Sequence, residues 1–149
     1  MTDIDLRRAT LNDVAALAEM NRQLILDEGS KNNMTLAELA ERMRAWLTAN
    51  REAVVVERAG EMIGYLLYRE HQESYYPSQA SIYVRQFFIQ PSYRRRGIGQ
   101  SVFEQIVAEF FPKGSAIMLD VLESNSEGKA FWLKLGFSIY HTTLRRESD

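Results

Sequence analysis

The sequence contains no cysteine in its 149 residues. That absence excludes disulfides, thiolate zinc sites and a cysteine nucleophile. Histidine is nearly as scarce: His71 and His141 are too few for a histidine-rich metal site. Neither sign of charge dominates. The formal net charge is −2, whereas a dedicated nucleic-acid binder is usually clearly basic. No apolar run approaches the roughly 20 residues that span a bilayer, so no membrane partner is expected. The N-terminal stretch "MTDIDLRRAT" has no apolar core and does not read as a signal peptide. These absences leave a cytoplasmic protein as the expectation. What is present is an ordinary globular mixture, 46% hydrophobic and 26% charged, of a length that suits one domain with a sizeable core.

Periodicity supplies the elements. Residues 4–9 read as a short strand. Residues 10–26 carry Val14, Leu17, Ala18, Leu24 and Ile25 at helical spacing, with Thr10 or Asn12 as cap. The polar cluster 27–33 ends that helix. A second amphipathic helix follows over 35–49, with Thr35 and Glu38 spaced as a capping box and Trp46 on its apolar, core-facing stripe. Two strand-like runs, 53–57 and 62–69, flank Ala59-Gly60 and predict a hairpin. Residues 71–79 read as a loop, and His71, Glu73, Tyr75 and Tyr76 in it form a candidate acceptor wall or plain loop surface. Residues 80–89 read as a long strand closed by Pro91, 97–111 as a helix and 116–122 as an apolar strand. Residues 124–135 read as a helix with Ser124 and Glu127 as its capping box, and 137–146 as a last strand. The strand–helix–strand unit from 82 to 122 requires a parallel crossover. The fold class is therefore α/β, a mixed sheet with helices on both faces, in one domain over 1–149.

One corner stands out. "QPSYRRRGIGQ" (90–100) sets three arginines against Gly-Ile-Gly at a strand-to-helix turn. A helix start leaves about four N–H groups unpaired, with a partial positive charge of roughly half a unit. Phosphate suits that position. Glycines at 97 and 99 remove Cβ atoms that would hold phosphate off, and Arg94, Arg95 and Arg96 add charge. The corner reads as a pyrophosphate seat. On composition alone, strain-relieving glycines beside solvated arginines explain it equally well. Neither a P-loop nor a G-x-G-x-x-G fingerprint is present.

"RRRGIG" resembles the Arg/Gln-x-x-Gly-x-Gly/Ala signature of the GNAT superfamily of N-acetyltransferases. "VRQFFIQPSY" before it is similar to that family's fourth strand. "NSEGKAFWLKLGF" behind it is similar to the Asn-x-x-x-x-Ala-x-x-aromatic-x-x-x-Gly-Phe block. The element order agrees as well, so the resemblance covers residues 4–146. It implies a GNAT-like fold, a central and mostly antiparallel sheet with splayed fourth and fifth strands, the fourth often bulged. It implies acetyl-CoA as cosubstrate and an amine acceptor of a small molecule, peptide or protein, and it allows a homodimer. By the resemblance, the pantetheine arm bonds to the backbone of Phe87, Phe88 and Ile89. The pyrophosphate takes the amides from Arg95 through Gly97, Ile98 and Gly99 to Gln100. Asn125 reaches the pantetheine arm, or caps its helix, or does both.

Direct attack by an amine needs no protein nucleophile. It does need a neutral amine, an oxyanion donor and a proton for the leaving thiolate. The resemblance gives the oxyanion to the Ile89 N–H. Trp132 stands where many members have an acidic tyrosine, and Gln86 where many have a glutamate base. Tyr140 is the candidate substitute acid, otherwise a half-buried strand aromatic. Glu28 is the candidate substitute base, otherwise a solvated helix-end charge, and water is the alternative to either side chain. Trp132 and Phe131 border the cofactor gap, and Phe131 is otherwise core. The alternative to an N-acetyltransferase is a non-catalytic acyl-CoA-binding, sensing domain. Nucleic-acid binding through Arg94 to Arg96 is disfavoured by the charge.

Overall fold

The structure is a computed structural model that describes residues 3–72, 79–94 and 96–148. Five strands form one sheet in the order β1 (Ile4–Arg8), β2 (Glu52–Arg58), β3 (Glu61–Gln72), β4 (Ala80–Ile89) and β5 (Ala116–Leu119). The first four pair antiparallel, and β5 joins β4 in parallel. Four helices complete the described chain: α1 (Val14–Asp27), α2 (Leu36–Thr48), α3 (Ile98–Phe110) and α4 (Ser126–Lys134).

Local chemistry explains the ends of these elements. Thr10 opens a 3₁₀ turn ahead of α1 through a capping box with Asp13. Thr35 and Glu38 form the box expected for α2, a device worth roughly 1 kcal/mol. Ala59 and Gly60 both have positive φ, 52° and 79°, the backbone that a two-residue hairpin between β2 and β3 requires.

Alternation sends the two sides of the sheet into two cores. Val54, Val56, Leu66, Ile82, Val84 and Ile89 pack with α3. Val55, Tyr65, Leu67 and Phe88 pack with Val14, Leu17, Met20 and Leu24 of α1 and Met43 of α2. Each such burial contributes roughly 1.5–3 kcal/mol. Among the described residues no helix is long and apolar enough to cross a membrane.

Two features place the site. Leu67 pairs with Gln86, but Tyr68 pairs with Val84. Arg85 is therefore an extra residue in β4, a β-bulge. Pairing of β4 with β5 stops at Val84 and Leu119. Beyond that point the two strands part, so β5 is shorter than the seven residues expected, and Asp120 instead accepts the Tyr83 hydroxyl at 2.6 Å.

The expected last strand, 137–146, does not form. Gly136 ends α4 at φ 97°, and the Phe137 N–H donates to the Trp132 carbonyl at 3.1 Å. From residue 138 to 148 every residue is exposed and none is in a helix or strand. Tyr140, expected half-buried, is 73% exposed. The segment is rich in strand-forming residue types, but its apolar side chains do not line one face. Ile139 sits among Phe137, His141 and Thr143, and Leu144 among Thr142 and Arg146. Strand formation rests on such a half-buried face. His71, expected in a loop, lies instead in β3 opposite Ser81.

Candidate active site

The bulge decides which backbone groups face the gap between β4 and β5. The Gln90 N–H donates to the Ile63 carbonyl of β3 at 2.7 Å. Hydrogen-bonded pairs recur at every second residue of an antiparallel ladder, so Phe88 also turns its backbone to β3. A Cβ built on Gly64 would collide with the Phe88 carbonyl oxygen, which confirms the direction. Phe87 and Ile89 consequently turn their N–H and carbonyl groups away from β3, into the gap. Phe88 belongs to the strand expected to line the gap, but its backbone is used within the sheet.

The gap is walled by rings. Phe87 lies 5.9 Å from Phe103, 6.1 Å from Phe131 and 5.8 Å from Trp132, centroid to centroid. Trp132 also meets Phe103, Phe131 and Phe137 edge-on. Trp132 thus packs within an aromatic cluster, and Phe131 stacks on Phe87. Both are half-buried.

At the N-terminus of α3, Gly97 is left-handed at φ 73° and has open space where a Cβ would lie. Among the described residues no side chain caps this helix, and the N–H groups of Ile98, Gly99 and Gln100 have no helical partner. Gly99 faces Phe131, whose ring an added Cβ would meet at 3.4 Å. Among the three arginines, Arg94 is committed elsewhere. Its Nε donates to the Ile89 carbonyl at 2.7 Å, and its Nη2 pairs with Asp27 at 2.6 Å. It ties the end of β4 to the end of α1. Arg95 lies outside the described residues, and Arg96 is exposed.

Asn125 is the cap of α4, through its Oδ1 and the Gly128 N–H at 3.0 Å. The cap expected at Ser124 lies one residue later, at Asn125, and α4 starts later, at Ser126.

On the α1–α2 face of β4, the buried Tyr65 hydroxyl donates to Gln86 Oε1 at 2.8 Å. Glu28 lies at the end of α1 beside them. Burial pushes its carboxyl up, the charge of Asp27 adds to this, and Arg85 opposes it. Glu28 charge also acts on Tyr65. Gln86, Tyr65, Arg85 and Glu28 therefore share one corner. Tyr140 is not brought to it; its ring neighbour is His141. Glu73, Tyr75 and Tyr76 lie outside the described residues. Among the described residues no cluster of His, Asp and Glu could hold a metal ion. Tyr65 and Arg85 were not legible as site residues. Their only signal would have been the bulge, whose position depends on strand pairing.

A model of the acetyltransferase (GNAT) family matches residues 18–137. The chain belongs to that family. Solved GNAT-like structures share its fold across nearly the whole length. A protein of Clostridium difficile 630 described as a possible acetyltransferase is 16% identical, with 98% of this chain and 97% of that one covered and a TM-score of 0.78. A predicted acetyltransferase from Clostridium acetobutylicum, solved with acetyl-CoA, is 17% identical over 97% and 96% of the chains, with a TM-score of 0.75. Aminoglycoside N-acetyltransferase AAC(6')-Iy, solved with CoA, is 15% identical over 99% and 96%, with a TM-score of 0.77. No curated protein matches the chain. At these identities the likeness speaks for the GNAT fold, and the family match makes the chain an acetyltransferase by class.

Proposed function

We propose that this GNAT protein transfers the acetyl group of acetyl-CoA to a primary amine of a small molecule or peptide by direct attack. The observation that carries the reading is the parting of β4 from β5 at the Arg85 bulge. It leaves the backbone groups of Phe87 and the Ile89 N–H turned away from β3 and facing a ring-lined gap, while the Ile89 carbonyl is held by Arg94 Nε. An extended amide-bearing arm suits such an edge, because it supplies the missing strand partner. The α3 start fits the pyrophosphate, since Gly97 leaves room and three amides have no partner among the described residues.

The acceptor approaches from the α1–α2 face. Its nitrogen attacks the thioester carbon, the carbonyl oxygen gains charge, and the C–S bond then breaks. The Ile89 N–H is the donor for that oxyanion. The amine sheds its proton to solvent. The cation at Arg85 favours the neutral amine, because like charge nearby depresses an ammonium pKa. Trp132 packs and does not supply the thiolate's proton, since an indole N–H is too weak an acid.

Calorimetry with acetyl-CoA, followed by CoA release over an amine panel, tests the transfer. With two amines of different pKa, the rising limb of kcat/KM against pH is expected to move with the amine. A limb that stays fixed and disappears in Glu28→Gln would make Glu28 the base instead. A second reading, an acyl-CoA sensor, is favoured by the absence of an ionisable side chain at Gln86 and Trp132. Binding of acetyl-CoA without release from any amine would establish it.

A further inference from the structure

Trp46 of α2 is surrounded by three guanidinium groups. The Cζ atoms of Arg42, Arg51 and Arg85 lie 4.4, 5.2 and 5.3 Å from its ring centre. Arg42 comes from α2 itself, Arg51 from just before β2, and Arg85 is the bulge residue of β4. Arg7, Arg8, Arg22 and Arg94 each have a carboxylate partner. Among the described residues, none of the three arginines around Trp46 does. Two of them are also partly buried. The Nε atoms of Arg42 and Arg51 are fully covered and donate to nothing, and so is Nδ2 of Asn21, whose Oδ1 accepts from Arg42. All three orphaned atoms are donors.

Three stacked cations without an anion repel one another. Burial, then Arg85, lowers the pKa of both Arg42 and Arg51. Stacking on an indole offsets part of this, but leaves the charge in place. Glu28 acts on Arg85 without forming an ion pair among the described residues, and its own charge is disfavoured by burial; Asp120 reaches Arg85 only through the Tyr83 hydroxyl. The cluster therefore presents a net positive surface, with Arg85 its exposed member, directly beside Gln86 and the gap.

We propose that the acceptor amine carries a carboxylate, which Arg85 and Arg42 bind over Trp46. This inference rests on the transferase reading and names the substrate class of the same site. Guanidinium groups match carboxylate oxygens in pairs, and the anion would neutralise a positive charge that the described residues leave without a carboxylate partner. The same surface repels polycations, so the aminoglycoside class, rich in ammonium groups, is a poor acceptor here despite the shared fold.

The test uses ω-amino acids of several chain lengths against their carboxamides, which keep the amine and remove the charge. O-phosphoethanolamine against ethanolamine asks whether a phosphate substitutes. The expected result is a kcat/KM at least about tenfold higher for the best carboxylate than for its carboxamide, reduced to near parity in Arg85→Gln. Equal values for both, or a preference for the carboxamide, would overturn the proposal, and a preference confined to the phosphate would overturn the carboxylate assignment. Calorimetric titration of the same compounds in wild type and Arg85→Gln separates this from failure of the transferase reading. If no amine is acetylated, binding of the carboxylates that is lost in Arg85→Gln still supports the anion site. Binding that is absent, or unchanged by the substitution, overturns it.

Discussion

Asp13 accepts two hydrogen bonds from the Arg7 guanidinium, at 2.9 and 3.0 Å, and one from the Thr10 N–H at 2.8 Å. It joins β1 to the first turn before α1. The Arg7 hydrogen bonds, foremost, hold its carboxyl below the usual carboxylate range, against the opposing effect of burial. A depressed carboxyl stabilises the fold above its ordinary pKa, and that stability is lost as pH falls through the depressed value. Asp13→Asn is therefore expected to lower stability by about 1–2 kcal/mol at neutral pH, a range kept modest because Arg7 is 40% exposed. Urea unfolding at neutral and acid pH checks this, and an undiminished gap in acid would mean the charge is not the source. Contacts of this reach divide what the sequence reveals from what it hides. Thr10 was legible as a cap because its partner is three residues away. The Arg42–Trp46–Arg85 cluster was not, because its members come from separate elements that only the folded sheet brings together. Trp46 correctly read as part of an apolar stripe, yet nothing local said that its ring would carry three cations.

At the scale of elements, α4 shows a sign reversal. Alanine in place of a helix-interior glycine ordinarily gains up to about 1 kcal/mol. At Gly128 the added Cβ would collide with the Asn125 side-chain amide, the group that caps the helix through the Gly128 N–H. Gly128→Ala is therefore expected to destabilise the protein. In an Asn125→Ala background, already weaker by about 1 kcal/mol for its lost cap, the same change should instead stabilise. Thermal unfolding of the four proteins in this cycle measures the coupling, and simple additivity would show that the two residues do not compete for space. Elements with strong local signals were readable this way. β4 runs over the residues expected, 80–89, and α2 starts at its box. The tail after Gly136 misled because residue type favoured a strand while no single face was apolar.

At the scale of the whole molecule, one sheet separates two cores, and everything assigned to chemistry lies where β4 passes between them. β4 is also a sequence with a parity. Up to Val84, even-numbered side chains face α3; from Phe87 onward, odd-numbered ones do. Arg85 is the position at which the count changes. Removing that one residue would leave a strand of uniform alternation with every core side chain still on its own side. A chain lacking Arg85 is accordingly expected to fold, with a cooperative denaturant transition near that of the wild type, while losing acetyl-CoA affinity as β4 continues alongside β5. Denaturation and calorimetry decide it: a chain that fails to fold would show that the bulge is needed for the core. Deleting a residue such as Ile82 or Phe88 would instead transpose part of the strand between the two interiors, and should abolish folding. Most of β4 is thus closed to changes of length, and the single place where its reading frame can be altered is the place to which we assign binding.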